Sequence, residues 1–148
     1  MADLVKLADP MGLILCIDDD SNDVLLLQRS LIKGGIDCPL HHASSLQEAE
    51  DYLAGENQFA DRLQFPLPDV ILTDLAFRGG TGIDFLKWFA SHPELARIPV
   101  LCVTGSEDPR KREEARRFGA PCVSKSANYI EVVNKIRELL ICSPGYSS

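Results

Sequence analysis

No apolar run in this chain approaches the ~20 residues that a membrane-crossing helix requires. Its opening stretch, Met1 to Met11, carries Asp3 and Asp9 and lacks the apolar core of a targeting segment. The expectation is a soluble, cytoplasmic protein. Closely spaced cysteine pairs are missing too: Cys16, Cys38, Cys102, Cys122 and Cys142 are odd in number and far apart, which excludes the spacing of a zinc site or a redox dithiol and suits a reducing compartment. Cys16, Cys102 and Cys122 lie in apolar runs, where a free thiol serves as a small buried hydrophobe. A long basic stripe is also lacking, and 15 Lys plus Arg against 22 Asp plus Glu leave a formal charge of −7, so a direct nucleic-acid partner is disfavoured. There is neither an internal repeat nor a low-complexity segment. What remains is a globular composition, 45% hydrophobic and 25% charged, over a length that suits one compact core.

The apolar pattern alternates between short buried runs and helical faces. Leu13 to Ile17 is a continuous apolar run ending in acids, the pattern of a strand buried on both faces. Val24, Leu27 and Leu31 then share a helical face after Ser21 or Asn22 as cap, and Gly34-Gly35 ends that helix. Leu40 to Ala43 is a second, weaker strand. Ser45 with Glu48 three residues on is a capping box opening a helix to about Leu53. Ala54 to Pro68, with Gly55, Pro66 and Pro68, reads as a long surface loop. Asp69 to Thr73 is a third strand, and Gly79, Gly80 and Gly82 turn the chain into a helix bearing Phe85, Leu86 and Phe89. Ile98 to Val103 is a fourth strand, ending at Thr104-Gly105, and Asp108-Pro109 reads as cap and first-turn proline of a helix to about Phe118. Pro121 to Ser124 is the last strand, followed by a helix with Ile130, Val133, Ile136 and Leu140 on one side. Five strand–helix units with short connections predict an α/β fold of the flavodoxin-like (βα)5 type, a doubly wound parallel sheet with strand order 2-1-3-4-5.

In such a sheet all strands end on one rim, so Asp18 and Asp19, Asp74, Thr104 and Lys125 are predicted to converge there. Crowded carboxylates repel unless a divalent cation offsets them, and Mg2+ prefers hard oxygen ligands, one or two of them carboxylates. Lys125 and Thr104 suit phosphoryl oxygens, one as an ammonium and the other as a hydroxyl donor. Asp74 is then the nucleophile, needing no general base because a carboxylate is already ionised. Each residue alone reads more simply: an Asp after a strand as a turn or cap, Thr104 as a cap, Lys125 as solvated surface. Their joint placement at the strand ends carries the phosphate-and-metal reading.

These residues also resemble a known family. Ile14 to Asp20 resembles the first strand and acidic pair of bacterial two-component response regulator receiver domains, and Pro68 to Asp74 their phosphoacceptor segment. Val103-Thr104-Gly105 is similar to their switch strand and Val123-Ser124-Lys125 to their lysine-bearing strand. The resemblance runs from Gly12 to Cys142, leaving 1–11 and 143–148 as flexible termini. It implies phosphotransfer to Asp74 from a sensor histidine kinase or phosphotransfer protein, with Lys125 and Thr104 assisting. It further implies Mg2+ (or Mn2+) held by Asp18, Asp19, Asp74 and the backbone carbonyl of Ala76, and slow autodephosphorylation. A downstream protein would dock on the face of helix four, strand five and helix five; neither nucleic acid nor membrane is expected as a partner, and a homodimer is left open. The long loop before strand three, with the segment from His92 to Thr104, resembles stand-alone receivers serving phytochrome-type kinases.

The chain departs from the family at four positions. Ser126 stands where Pro, with a cis bond, usually follows the lysine; a cis bond before a residue other than proline costs ~2.5–4 kcal/mol. Cys122 stands where an aromatic switch residue is usual, so no large ring can report phosphorylation. Ala76 and Ser106 occupy the positions that influence how water reaches the phosphate. The alternatives are a receiver-like protein-binding module that no longer switches, motivated by Cys122 and Ser126, and a Mg2+-dependent phosphohydrolase. The latter is disfavoured because Ala76 stands where such enzymes carry a second Asp as acid/base. No enzyme activity beyond the chain's own phosphotransfer and autodephosphorylation is expected. Arg110, Lys111, Arg112, Arg116 and Arg117 give the fourth helix a basic face, and His41, His42 and His92 lack the spacing of metal ligands.

Overall fold

A computed structural model describes residues 12–77, 80–105 and 109–141. The expected flexible termini, the Asp108 cap, Gly79, Ser106 and Cys142 lie outside the described residues. The main sheet comprises β1 (Ile14–Ile17), β2 (Leu40–Ala43), β3 (Val70–Thr73), β4 (Val100–Thr104) and β5 (Cys122–Ser124), all parallel, in the order β2-β1-β3-β4-β5. Between them run α1 (Ser21–Lys33), α2 (Leu46–Ala54), α3 (Gly82–Ala90) and α4 (Pro109–Arg117), and α5 (Ser126–Ile141) closes the fold. A two-residue hairpin, Ala76–Phe77 against Gly80–Thr81, lies between β3 and α3.

Because successive strand residues face opposite sides, the sheet divides two cores. Leu15, Ile17, Ile71 and Cys102 point toward Tyr52, Phe85, Leu86 and Ala115 of α2, α3 and α4. Ile14, Cys16, Leu72, Leu101 and Val103 point toward Val24, Leu27 and Leu31 of α1 and toward Tyr129, Val132, Val133 and Ile136 of α5. This two-sided burial is why β1, β3 and β4 read as apolar runs.

The α1 cap is Asp20 rather than Ser21 or Asn22. Its backbone is extended, and its carboxylate accepts from the amides of Asn22 and Asp23 at 2.9 and 3.3 Å, so the helix begins one residue earlier than expected. Ser45 caps α2 as expected, accepting from the Glu48 amide at 3.1 Å, while the Glu48 carboxylate reaches back to the Ser44 amide. On α5, Val133 and Ile136 are buried as expected and Tyr129 and Val132 join them, whereas Ile130 is 56% exposed.

The segment after α2 lies largely at the surface as expected, but a few of its side chains anchor it. A short 3-10 turn, Asn57–Phe59, buries Phe59, whose ring meets those of Tyr52 and Phe65 at centroid distances of 5.0 and 5.1 Å. The Arg62 guanidinium donates to the carbonyls of Tyr52, Leu53 and Phe65, each at 2.8 Å. The histidines are structural, as expected. Tyr52 donates its hydroxyl to the Pro66 carbonyl at 3.0 Å, so His41 Nδ1, 2.7 Å from the same oxygen, is the donor there. His92 Nδ1 lies 2.8 Å from the Trp88 carbonyl, with its ring 4.0 Å from the indole. Cys16 and Cys102 are buried as expected, but Cys122 is only half-buried.

Candidate functional site

Register places the site. Ile17 pairs with Thr73, and the ladder continues one step further: the Asp74 amide donates to the Ile17 carbonyl and the Asp18 amide to the Ala43 carbonyl, both at 3.0 Å. Asp18 and Asp74 therefore leave adjacent strands side by side. On the other flank Thr104 pairs with Ser124, and the Lys125 amide donates to the Thr104 carbonyl at 3.2 Å. The Lys125 side chain crosses the rim to the acids.

Its ammonium Nζ lies 3.1 Å from Asp18 Oδ2, 3.0 Å from Asp74 Oδ2 and 2.8 Å from Asp23 Oδ2. Burial works to lower the Lys125 pKa, but the hydrogen bonds to Asp23 and Asp74 and the charges of Asp74 and Asp18 outweigh it and hold the group firmly protonated. Burial raises the pKa of Asp18; the Asp20 amide, 2.9 Å from Oδ1, and Lys125 oppose that rise only in part. Beneath the ammonium is a cavity of about 10 Å3 bounded by Cys16, Asp18, Asp23, Asp74 and Tyr129, about the volume of one water probe.

The structure thus brings Asp18, Asp74 and Lys125 into direct contact and joins Thr104, 2% exposed, through the Lys125 backbone. Asp19 follows Asp18 and is half-buried. Ala76 opens the hairpin two residues beyond Asp74. Asp23 is the residue that sequence reasoning missed: in the first turn of α1 an acid is explained by the helix dipole alone. His42 supports the site from the edge strand, its Nε2–H donating to the Asp18 carbonyl at 2.6 Å.

Backbone packing holds Asp74 from the other side. Thr73 Oγ1 donates to the Asp74 carbonyl at 3.0 Å, and the Gly82 amide donates to the Leu75 carbonyl at 2.9 Å. A Cβ at position 82 would lie 2.2 Å from the Asp74 carbonyl oxygen and 2.8 Å from Leu75 Cα. Only glycine lets α3 begin this close to the strand end.

No peptide bond among the described residues is cis. No helix among them is long and apolar enough to cross a membrane.

The chain matches the response regulator receiver domain model over residues 14–137. It is 33% identical over 94 residues to the phosphate regulon transcriptional regulatory protein PhoB of Escherichia coli (strain K12), a match covering 63% of this chain and 39% of PhoB. The chain thus accounts for well under half the length of that relative. It is 30% identical over 101 residues to response regulator Rcp1 of Synechocystis sp., covering 68% of this chain and 67% of Rcp1. Among solved structures it resembles the phosphorylated cyanobacterial phytochrome response regulator RcpA, with TM-score 0.76, 27% identity and coverage of 88% of this chain and 94% of RcpA. It also resembles RPA3017, a response regulator in red light signaling of R. palustris, with TM-score 0.78, 26% identity and coverage of 92% and 96%. With a single parallel sheet of matching order and a family match across nearly its whole core, the chain belongs to the response regulator receiver domain family.

Proposed function

We propose that residues 12–142 form a cytoplasmic phosphoacceptor module of two-component signalling, in which Asp74 takes a phosphoryl group from a sensor histidine kinase or a phosphotransfer protein. The observation that carries this reading is the placement of Lys125 Nζ 3.0 Å from Asp74 Oδ2 while it also holds Asp18. A carboxylate oxygen of Asp74 attacks the phosphorus in line with the phosphohistidine nitrogen. The new O–P bond forms as the P–N bond breaks, and the imidazole leaves as the neutral base after taking up a proton. Lys125, freed from one Asp74 oxygen, meets an equatorial phosphoryl oxygen, and the Thr104 hydroxyl donates to another. The same site accounts for slow autodephosphorylation, in which water replaces Asp74 on phosphorus.

The acids fit a divalent cation. Three carboxylates converge on one ammonium, which leaves negative charge in excess and offers the hard oxygen donors that Mg2+ or Mn2+ takes. Among the described residues no three His, Cys, Asp or Glu side chains form a metal cage, and Mg2+ requires only one or two carboxylates beside waters and phosphate oxygens. Asp74 with Asp18 or Asp19, and the Ala76 carbonyl, would hold it; when bound, it supplies positive charge against the phosphoryl oxygens. The phytochrome and red-light regulators among the structural relatives favour a phytochrome-type kinase as donor. The output, as the family resemblance implies, is a protein target docking on the face of α4, β5 and α5.

Incubation with acetyl phosphate and Mg2+ followed by intact-mass measurement tests the reading. One added phosphoryl group is expected on the native chain and none on Asp74→Asn; a native chain that gains nothing, or an Asp74→Asn variant that still gains it, overturns the assignment. A module that binds without switching is the second reading, favoured by the small Cys122 in the position of the usual ring. Amide shifts at Thr104 and Ile130 on adding beryllofluoride exclude it, and their absence supports it.

A further inference from the structure

We propose that Cys102 and Cys122 form a peroxide-oxidisable dithiol that closes into a disulfide between β4 and β5. The inference is independent of phosphorylation at Asp74. The two residues are register partners in adjacent parallel strands. Neighbouring strands lie about 4.8 Å apart, inside the roughly 4.4–6.8 Å between Cα atoms that a disulfide spans. Both side chains face the same core: Cys102 belongs to it and Cys122 packs against it.

The pair is asymmetric. Cys102 is fully buried, and Cys122 is half-buried at the sheet's outer strand. The neighbouring Cys102 thiol lowers the Cys122 pKa; burial opposes this, and the positive charges of Arg112 and Arg116 on α4 add to the lowering. For Cys102 the neighbouring Cys122 and its own burial push the thiol pKa far up. One sulfur is thus the accessible nucleophile, and the other is a protonated thiol held against it, the division of labour between an attacking and a resolving cysteine. The basic face of α4, otherwise a solvated surface, acquires a role as the electrostatic support of this thiolate.

The chemistry balances with a hydroperoxide as oxidant. The Cys122 thiolate attacks one oxygen of hydrogen peroxide, the O–O bond breaks, and hydroxide leaves, giving a sulfenic acid at Cys122. The Cys102 sulfur then attacks Cys122 Sγ; the S–O bond breaks, and the departing hydroxide takes the Cys102 proton as water. Two thiols and one peroxide become one disulfide and two waters. The bridge would sit two residues before Thr104 and three before Lys125, tying together the two strands that carry them.

The full chain, reduced and freed of reductant, is treated with hydrogen peroxide, blocked with N-ethylmaleimide and digested without reductant for mass spectrometry. A linked pair of peptides carrying Cys102 and Cys122, separated again by a phosphine, is expected. In Cys102→Ser the bridge cannot close, and dimedone should label Cys122. On the untreated native chain, N-ethylmaleimide should modify Cys122 about tenfold faster than Cys16 or Cys102. Three results overturn the proposal: Cys122 recovered as a free thiol from a chain still folded by circular dichroism, Cys122 bridged only between molecules, or Cys122 oxidised to sulfinic acid while Cys102 stays free.

Discussion

Asp18 is 5% exposed, so its ionisation proceeds against loss of hydration, and its carboxyl titrates above its ordinary value despite Lys125. The folded chain therefore binds this proton more tightly than the unfolded chain. The stability that follows is complete below about pH 3.9, the unfolded value, and is lost as pH rises through the folded one. Asp18→Asn removes the charge and keeps the shape. Without divalent metal it should exceed the native chain in stability at pH 7 by on the order of 1 kcal/mol, with the advantage shrinking toward pH 3.5; urea unfolding at several pH values would show it. At the same scale, Gly82→Ala forces a methyl against the Asp74 and Leu75 backbones, which should cost about 1–3 kcal/mol in thermal unfolding and slow phosphoryl uptake from acetyl phosphate. Asp18, Asp74 and Lys125 were legible because each ends an apolar run, and parallel strands end together. Asp23 was not, since its role depends on how α1 leans over the rim. The approach of Gly82 to Asp74 was hidden for the same reason, because a glycine in a turn gives no sign of what it touches.

Among the elements, α2 and the segment after it show where local rules suffice and where they stop. Ser45 and Glu48 announced the helix start because a capping box is local. The order of residues 55–66 arises between residues at irregular spacings, through Arg62 on the end of α2 and the rings of Tyr52, Phe59 and Phe65, so no periodicity marks it. Replacing Arg62 with Leu deletes the guanidinium bonds to three carbonyls. The expected loss is about 2 kcal/mol, with amide hydrogen exchange accelerated first over residues 56–66 and little changed in β1 and β3. Uniform acceleration across the chain would show instead that the segment unfolds only with the whole. The exposure of Ile130 in α5 has a similar origin: it fits the apolar spacing of Val133 and Ile136, but Tyr129 reaches the core in its place and extends its hydroxyl toward the Asp23 carbonyl at 3.4 Å.

For the whole molecule, five apolar runs alternating with helical faces were enough to specify the sheet and its order, because right-handed crossovers leave few arrangements. Among the described residues the two cores form separate clusters on opposite faces of the sheet. Ile71→Val on one side and Ile136→Val on the other should each cost about 1 kcal/mol, and the double variant should equal their sum to within about 0.5 kcal/mol; a larger discrepancy in denaturant unfolding would mean that the cores communicate. If they do not, the sheet is a partition wall for evolution. Substitutions can accumulate beneath α1 and α5 without retuning what lies beneath α2, α3 and α4, so a lineage can remodel one flank of the molecule while inheriting the other unchanged.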